Sequence, residues 1–160
     1  MARELNSDFK ELVSVLSSAR VRYLVVGGHA VIEHTEPRYT KDLDVWVEAT
    51  RENATRLWRA LVKYGAPLKG VKLEDFLNPA IVYQMGVEPV RVDILTALDG
   101  VDFERAWARR GKARWGRVTV NVLSVADLIA NKKRVGRPQD LLDVERLSAA
   151  ARSSRSRKTR

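Results

Sequence analysis

The chain has no cysteine and no long apolar run, and both absences narrow its possible chemistry. Without cysteine there is no thiolate nucleophile, no cysteine-ligated zinc site and no disulfide framework, which fits a reducing cytoplasm. No segment approaches the roughly 18 consecutive apolar residues of a membrane span, and no apolar stretch near the first residue serves as a signal peptide. We therefore expect a cytoplasmic protein that has no membrane partner.

The 160 residues are enough for one domain that buries a core without a structural metal. The formal net charge is +9, and the last nine positions hold five basic residues and no acid. We expect residues 1–150 to form the folded domain and residues 151–160 a disordered basic tail, because Ser, Arg and Lys provide no apolar side chains to bury. A polyanion partner and a merely solvated tail both fit this charge.

Hydrophobic patterning and capping residues predict a mixed order of helices and strands. A capping-box spacing at Asp8 and Glu11 opens the first helix, and a turn at residues 86–89 joins two strands in a hairpin. The expected helices cover residues 8–19, 29–34, 50–64, 102–110, 124–133 and 138–150, with at most a short one at 74–77. The expected strands cover residues 21–26, 43–47, 81–85, 90–96 and 118–123. This order predicts an α/β (α+β) domain with one mixed sheet flanked by helices, not a purely parallel fold.

Three aspartates in or directly beside predicted strands are the candidate catalytic residues. Strand side chains alternate, so Asp42 and Asp44 project from the same face, where their charges repel unless cations hold them. Asp93 lies among apolar strand residues, which is costly unless the carboxylate is paired or bound to a metal. If the two strands are neighbours, the three carboxylates can hold two Mg²⁺ ions about 4 Å apart, which suits phosphoryl transfer.

The pair Gly27-Gly28 precedes these aspartates and offers a backbone without Cβ atoms, which phosphates can approach ahead of a helix N-terminus. A structural alternative stays open, in which Asp42 and Asp44 pair with Arg38 and Lys41 and the glycines only form a turn. The ordered combination of the glycine pair with three strand aspartates favours a nucleotide site.

Two segments of the sequence, Val25-Val26-Gly27-Gly28-His29-Ala30 and Arg38-Tyr39-Thr40-Lys41-Asp42-Leu43-Asp44-Val45, resemble the opening motif of the minimal nucleotidyltransferase family, within the DNA polymerase β-like superfamily. The segment Arg91-Val92-Asp93-Ile94-Leu95 is similar to the strand that carries the third carboxylate of that superfamily. Residues 128–132 and 137–143 resemble the C-terminal Lys and Arg-x-x-Asp helices of its AbiEii-like toxin branch.

The resemblance implies a nucleotidyltransferase fold and transfer of a nucleoside monophosphate from an NTP to a hydroxyl. It implies metal binding by Asp42, Asp44 and Asp93, and nucleotide binding by residues that match the family motifs, namely Gly27, Gly28, Lys132 and Asp140. Asp93 would also help to deprotonate the acceptor, and Asp140 would orient Lys132 or contact the nucleotide. Many relatives have serine where this chain has Gly28, which leaves only backbone donors at that position.

The resemblance and the positive charge favour the 3′ end of tRNA as acceptor, with a toxin or antitoxin protein as partner. A protein or small-molecule acceptor is the alternative, and a small molecule would favour a homodimer, because the chain is short for enclosing one. A different class of function, a catalytically silent module that binds nucleotide or nucleic acid, also fits the motifs. For Lys132, stabilisation of the helix C-terminus is the structural alternative.

The aromatic residues divide between core and surface. We expect Trp46, Trp58 and Trp107 to pack in the core, although Trp46 has the parity of the two acids and could stack on a base. Trp115 follows a basic segment, Arg109, Arg110, Lys112 and Arg114, that we interpret as an exposed turn. An exposed tryptophan there would suit stacking on single-stranded nucleic acid.

Overall fold

The computed structural model describes residues 6–87 and 90–158, and their side chains as far as residue 156. The helices are Ser7–Ser18 (α1), Gly27–His34 (α2), Arg51–Tyr64 (α3), Phe103–Ala108 (α4), Val125–Val135 (α5) and Pro138–Lys158 (α6), with a short 3₁₀ helix at Leu73–Leu77. The strands are Tyr23–Val26 (β1), Leu43–Val47 (β2), Tyr83–Met85 (β3), Val92–Leu95 (β4), Gly111–Trp115 (β5) and Val118–Val122 (β6). In this described part, every helix is too short or too polar to cross a membrane.

The six strands form one mixed sheet in the order β3-β4-β2-β1-β6-β5. Strand β1 is antiparallel to β2 and parallel to β6, and β2 is parallel to β4. Antiparallel hairpin pairs, β3 with β4 and β5 with β6, form the two edges. The predicted mixed sheet flanked by helices is confirmed, and the first edge pair is the predicted hairpin, of whose turn Glu88 and Pro89 lie outside the described residues.

The register of the central strands determines which side chains share a face. Val26 lies opposite Asp44, and Asp44 lies beside Asp93 in the parallel pair of β2 and β4. Directly paired residues point to the same side of a sheet, so Asp44 and Asp93 project together. Trp46 lies two residues further along the same face.

Helices cover both faces of the sheet. The Tyr23 hydroxyl shares a hydrogen bond of 3.1 Å with Ser17, which places α1 on the face opposite to the aspartates. On the aspartate face, Trp46 packs edge-on against Phe103 of α4, with 4.9 Å between ring centroids. Trp46 is buried, as the predicted core position requires. Trp58 and Trp107 are partly buried against the same core.

The predicted helix ends are largely confirmed. The Thr50 and Ser124 side chains cap α3 and α5, and both helices end at a glycine in the left-handed conformation, Gly65 and Gly136. The first cap differs from the expectation. Asn6, and not Asp8, caps α1, because its side-chain oxygen accepts the Asp8 N–H at 2.8 Å.

The expected exposed turn at residues 109–114 is wrong, because most of it forms the edge strand β5. Lys112 and Arg114 are exposed and alternate with the half-buried Ala113 and the buried Trp115, which is the period of a strand with one packed face. The Trp115 indole is fully buried and donates to Glu33 at 2.8 Å. Trp115 is therefore a core residue and is inaccessible to a nucleic-acid base.

Helix α6 extends beyond its expected end at residue 150 and continues to Lys158. Residues 151–158, part of the expected disordered tail, are helical, and residues 159 and 160 lie outside the described chain. The physical reason is helix propensity: alanine, arginine and lysine prolong a helix at little cost once its first turns are formed. Those first turns are anchored, because Asp140, Asp143 and Leu147 are buried.

Candidate active site

A cleft of about 490 Å³ opens over the aspartate face of the sheet. It collects most of the residues that the sequence analysis selected, which are Gly27, Asp42, Asp44, Asp93, Lys132 and Asp140. Helices α2, α5 and α6, strands β2 and β4 and the residue before β2 contribute these side chains and the glycine, so segments that are distant in the chain meet at one place. Gly28 follows the cleft-lining Gly27 directly, and Arg91, Leu95, Asn131 and Arg137 complete part of the wall.

The three carboxylates share this cleft with one guanidinium. Arg91 donates two hydrogen bonds to Asp93, from Nε at 3.0 Å and from Nη2 at 2.9 Å. The same Nη2 lies 3.6 Å from an oxygen of Asp42, so Arg91 bridges the first and third carboxylates. Among the described residues, none donates a hydrogen bond to the Asp44 carboxylate. The central acid is thus the least neutralised of the three.

The environment of Asp44 opposes its negative charge. Burial, together with the neighbouring charges of Asp93 and Asp42, raises the pKa of Asp44 to about 7, although Lys132 and Arg91 act in the opposite direction. Asp42 also has a buried oxygen, Oδ1, with no hydrogen-bond partner in the described chain. Both observations indicate that the cluster holds less positive charge than three ionised carboxylates require.

A divalent cation fits this deficit. Three carboxylates provide the hard oxygen atoms that Mg²⁺ prefers, and an added cation would satisfy Asp42 Oδ1 and favour ionisation of Asp44. Within residues 6–87 and 90–158, no three His, Cys, Asp or Glu side chains, as they stand, form a group that could hold a metal ion. The Arg91 guanidinium carries the positive charge beside Asp42 and Asp93 in this arrangement.

The glycine pair forms the start of helix α2. Gly27 has a φ of +66°, and a Cβ there would overlap an oxygen of Asp44, so both the backbone and the neighbouring carboxylate require glycine. The N-cap residue of α2 is Val26, whose side chain makes no capping hydrogen bond. The first N–H groups of α2 therefore lack a side-chain cap, which is a feature of anion-binding helix starts.

Lys132 reaches the cleft from α5 and is only 6% exposed. Its ammonium lies 3.2 Å from Asp140 and 3.0 Å from Asp143, both on α6. Each acid has a second cation, because Arg137 binds Asp140 at 2.8 Å and Arg38 binds Asp143 at 3.1 Å. The lysine is thus held by two buried carboxylates and retains a charge that acts on Asp44.

The pKa of Asp140 is lowered despite the burial of its carboxyl group. Burial acts to raise its pKa, but hydrogen bonds from Arg137 and Lys132 outweigh that effect and hold the pKa below the usual value. The carboxylate is therefore ionised at neutral pH, and it orients Lys132 by accepting a hydrogen bond from its ammonium.

Several residues around the site were not selected from the sequence. Arg91 is two positions before Asp93 on one strand, so period-2 alternation places both on the same face. Asp143 is three positions after Asp140, a spacing that puts both acids on one helix face. The two-residue spacing on the strand and the three-residue spacing on the helix are both visible in the sequence, so each predicts the additional site residue. Arg38, which the structural alternative pairs together with Lys41 to Asp42 and Asp44, instead forms an ion pair with Asp143.

Comparisons with known proteins give similarity at the level of structure. No family model matches the sequence, and no curated protein matches it. The lincosamide antibiotic adenylyltransferase LnuA, in a lincomycin-bound crystal structure, aligns with a TM-score of 0.58 at 14% identity, over 91% of this chain and 98% of that one.

The antibiotic-resistance factor ANT(2″)-Ia also aligns, in two structures. Its solution structure gives a TM-score of 0.51 at 12% identity, over 96% of this chain and 92% of that one. Its crystal structure with adenylyl-2″-tobramycin gives 0.52 at 14% identity, over 95% of this chain and 97% of that one. This chain therefore has the fold of these nucleotidyltransferases over nearly its whole length.

Proposed function

We propose that this protein is a Mg²⁺-dependent nucleotidyltransferase, which moves a nucleoside monophosphate from an NTP to a hydroxyl. One observation carries the proposal: Asp44 and Asp93 are paired on neighbouring parallel strands, in the same cleft as Asp42. A fold shared with LnuA and ANT(2″)-Ia supports it. A cluster of three carboxylates in one cleft provides the oxygen ligands that metal-assisted phosphoryl transfer requires.

In this proposal the acceptor oxygen forms a bond to the α-phosphorus, the bond from that phosphorus to the β-bridging oxygen breaks, and pyrophosphate leaves. Asp42, Asp44 and Asp93 would hold two Mg²⁺ ions, which when bound activate the acceptor hydroxyl and neutralise phosphate charge. Asp93 helps to remove the proton of the acceptor hydroxyl, and that proton passes to solvent.

The remaining residues bind the nucleotide. The backbone at Gly27 and Gly28 presents the uncapped start of α2 to the phosphates. Lys132 neutralises triphosphate charge, because its ammonium lies at the cleft and is buried enough to be poorly screened by water. Asp140 holds Lys132 in this orientation.

Two classes of acceptor follow from different observations. A small-molecule hydroxyl is supported by LnuA, whose structure contains lincomycin, and by ANT(2″)-Ia, whose structure contains adenylyl-2″-tobramycin. The 3′ end of tRNA is supported by the resemblance to the toxin branch, in which a cognate toxin or antitoxin protein would be the partner. The exposed Lys112, Arg114 and Arg117 at the sheet edge add a surface for phosphates.

The size of the cleft bears on the small-molecule case. A volume of about 490 Å³ is typical of a site for one ligand, and in this proposal that ligand is the NTP. A drug-sized acceptor would therefore bind at the open side of the cleft and not inside it. A homodimer would then supply the additional wall. A tRNA end needs no such wall, because the rest of the RNA stays on the surface.

The direct test is incubation of the protein with Mg²⁺ and each NTP labelled at the α-phosphate. Lincosamides, aminoglycosides and tRNA serve as acceptors in separate reactions. We expect label on one acceptor class, and loss of several orders of magnitude in Asp42→Asn and Asp44→Asn. The exposed Glu52→Gln is the matched control that should keep full activity. Absence of label on every acceptor would contradict the proposal.

A silent binding module is the rival class of function. It predicts NTP binding in calorimetry without turnover on any acceptor, whereas a transferase also releases pyrophosphate. The crowding of three acids in one cleft favours the transferase, because a module that binds only nucleotide gains nothing from it.

A further inference from the structure

A close contact between the start of helix α2 and the loop that precedes β2 occurs at the glycine pair. A Cβ on Gly28 would overlap Oγ1 of Thr40 and would lie 3.1 Å from the Thr40 Cβ. Gly28 does not have a positive φ, so its backbone conformation does not require glycine. The space for a side chain at position 28 is instead taken by the Thr40 hydroxyl. Thr40 thus presents a hydroxyl at the second residue of α2.

The Thr40 hydroxyl takes part in no hydrogen bond with any residue of the described chain. The residue is half-buried, so the hydroxyl is neither fully hydrated nor satisfied by the protein. Helix α2 begins beside it without a side-chain cap. A hydroxyl donor and uncapped backbone N–H groups therefore lie together at the Gly27-Gly28 turn, of which Gly27 lines the cleft.

Arg38 brings positive charge to the same residue. Its Nη2 lies 3.3 Å from the position that a Cβ on Gly28 would take, and it is held there by Asp143 at 3.1 Å. The Arg38 side chain is 21% exposed, and its Nε is buried with no hydrogen-bond partner in the described residues. The guanidinium and the unbonded Thr40 hydroxyl both lie beside Gly28, and this combination suits an anionic ligand.

We propose that the Thr40 hydroxyl is a phosphate-binding group, which donates to a phosphate oxygen of the NTP bound at the Gly27-Gly28 turn. This inference rests on the nucleotidyl transfer proposed above and deepens it, by assigning a side-chain donor where only backbone donors were expected. Arg38, positioned by Asp143, supplies the positive charge that makes a phosphate the preferred partner over a neutral group.

The decisive experiment moves the hydroxyl from residue 40 to residue 28. Binding of a non-hydrolysable NTP analogue in Mg²⁺ is measured by calorimetry. We expect Thr40→Ala to weaken binding by about tenfold or more, because a hydrogen bond to a charged group is lost. In that background Gly28→Ser restores a hydroxyl in nearly the same place, and we expect it to recover most of the affinity.

Two controls separate the hydroxyl from packing. Gly28→Ala in the Thr40→Ala background adds the same Cβ without the hydroxyl, and it should recover nothing. Thr55→Ala removes a hydroxyl that bonds Arg51 within α3, away from the cleft, and it should bind like the wild type. Melting temperatures of all variants report any effect on stability separately from affinity.

The outcomes distinguish this inference from the proposed function. If the wild type binds and transfers nucleotide while Thr40→Ala binds equally well, the assignment of Thr40 is overturned and the proposed function stands. Equal recovery by Gly28→Ser and Gly28→Ala in the Thr40→Ala background would show a purely steric role and would also overturn it. If the wild type binds no NTP, both the proposed function and this inference fail.

Discussion

At the scale of single residues, the site is governed by the cost of placing three carboxylates together. The free-energy cost is highest for Asp44, because it lies half-buried near the charges of Asp42 and Asp93 and receives no hydrogen bond from the described residues. Gly27 makes this placement of Asp44 possible, because the absence of a Cβ leaves room for an oxygen of the Asp44 carboxylate. Carboxylates whose ionisation is opposed in this way are typical of sites that bind a cation or take part in catalysis.

This cost predicts how the stability of the metal-free protein depends on pH. The pKa of Asp44 is about 7 in the folded state and about 3.8 in the unfolded chain, so the folded state binds the proton more tightly. The resulting stabilisation is complete below the unfolded pKa and is lost as the pH rises through 7. Between pH 8 and pH 5.5, Asp44 should therefore add about 2 kcal/mol to the free energy of unfolding.

The measurement is urea denaturation in EDTA at both pH values, for the wild type and for Asp44→Asn. Other groups also titrate in this range, so the informative quantity is the difference between the two pH dependences. Asparagine cannot ionise, and the variant should lack the contribution of Asp44 while gaining stability at pH 8. Identical pH dependences in the two proteins would show that Asp44 is ionised throughout.

At the scale of elements, ion pairs connect α5, α6 and the loop that precedes β2. Asp143 on α6 accepts a hydrogen bond from Arg38 on the loop and forms an ion pair with Lys132 on α5, and its side chain is fully buried. Gln139 donates a second hydrogen bond to it at 3.0 Å. One carboxylate therefore fixes the cleft lysine and the arginine at the glycine turn together.

Removal of this carboxylate should be costly. Asp143→Ala leaves the buried Lys132 and the largely buried Arg38 without their shared partner, which predicts a loss of about 3 kcal/mol in the free energy of unfolding. The matched control is Glu52→Ala, which breaks an exposed ion pair with Arg56 and should cost less than about 0.5 kcal/mol. Urea denaturation measures both. Equal costs for the two variants would show that Asp143 is replaceable.

The elements differ in how far local sequence determines them. Helix α3 is predictable at both ends, because Thr50 and Gly65 act on their own neighbours. Strand β5 is not, because Lys112 and Arg114 resemble a solvated turn until pairing with β6 gives Ala113 and Trp115 a face to pack against. The end of α6 is likewise decided by packing of its first turns, not by its polar last turns.

The same distinction holds for the site. The three aspartates were predictable as a group, because alternation within a strand and cost of burial are local properties. Their convergence required the parallel pairing of β2 with β4, which depends on the whole sheet. The contacts of Thr40 with Gly28 and of Arg38 with Asp143 join segments whose relative position no local pattern encodes.

At the scale of the whole molecule, an acidic cleft lies in a chain with a net charge of +9. The general positive field attracts a triphosphate, but the three carboxylates of the cleft repel it at close range. Lys132 and Arg91 offset only part of that repulsion, as the raised pKa of Asp44 shows. Nucleotide and divalent cation should therefore bind more tightly together than either binds alone.

This coupling is measurable as thermal stability at pH 8, where Asp44 is ionised in the folded state. A non-hydrolysable NTP analogue in EDTA should raise the melting temperature little. When the analogue and Mg²⁺ are both present, each about a hundredfold above its dissociation constant, we expect a stabilisation of about 3 kcal/mol. This corresponds to a rise in melting temperature of roughly 6–12 °C, more than the separate effects of Mg²⁺ and analogue added together.

The control is the Asp42→Asn, Asp44→Asn double variant, in which the repulsion is reduced and the cation has fewer ligands. There the analogue should give nearly the same shift in melting temperature with and without Mg²⁺. A wild-type shift in EDTA as large as in Mg²⁺ would mean that Lys132 and Arg91 alone neutralise the phosphates, and that the three carboxylates are not held for a cation.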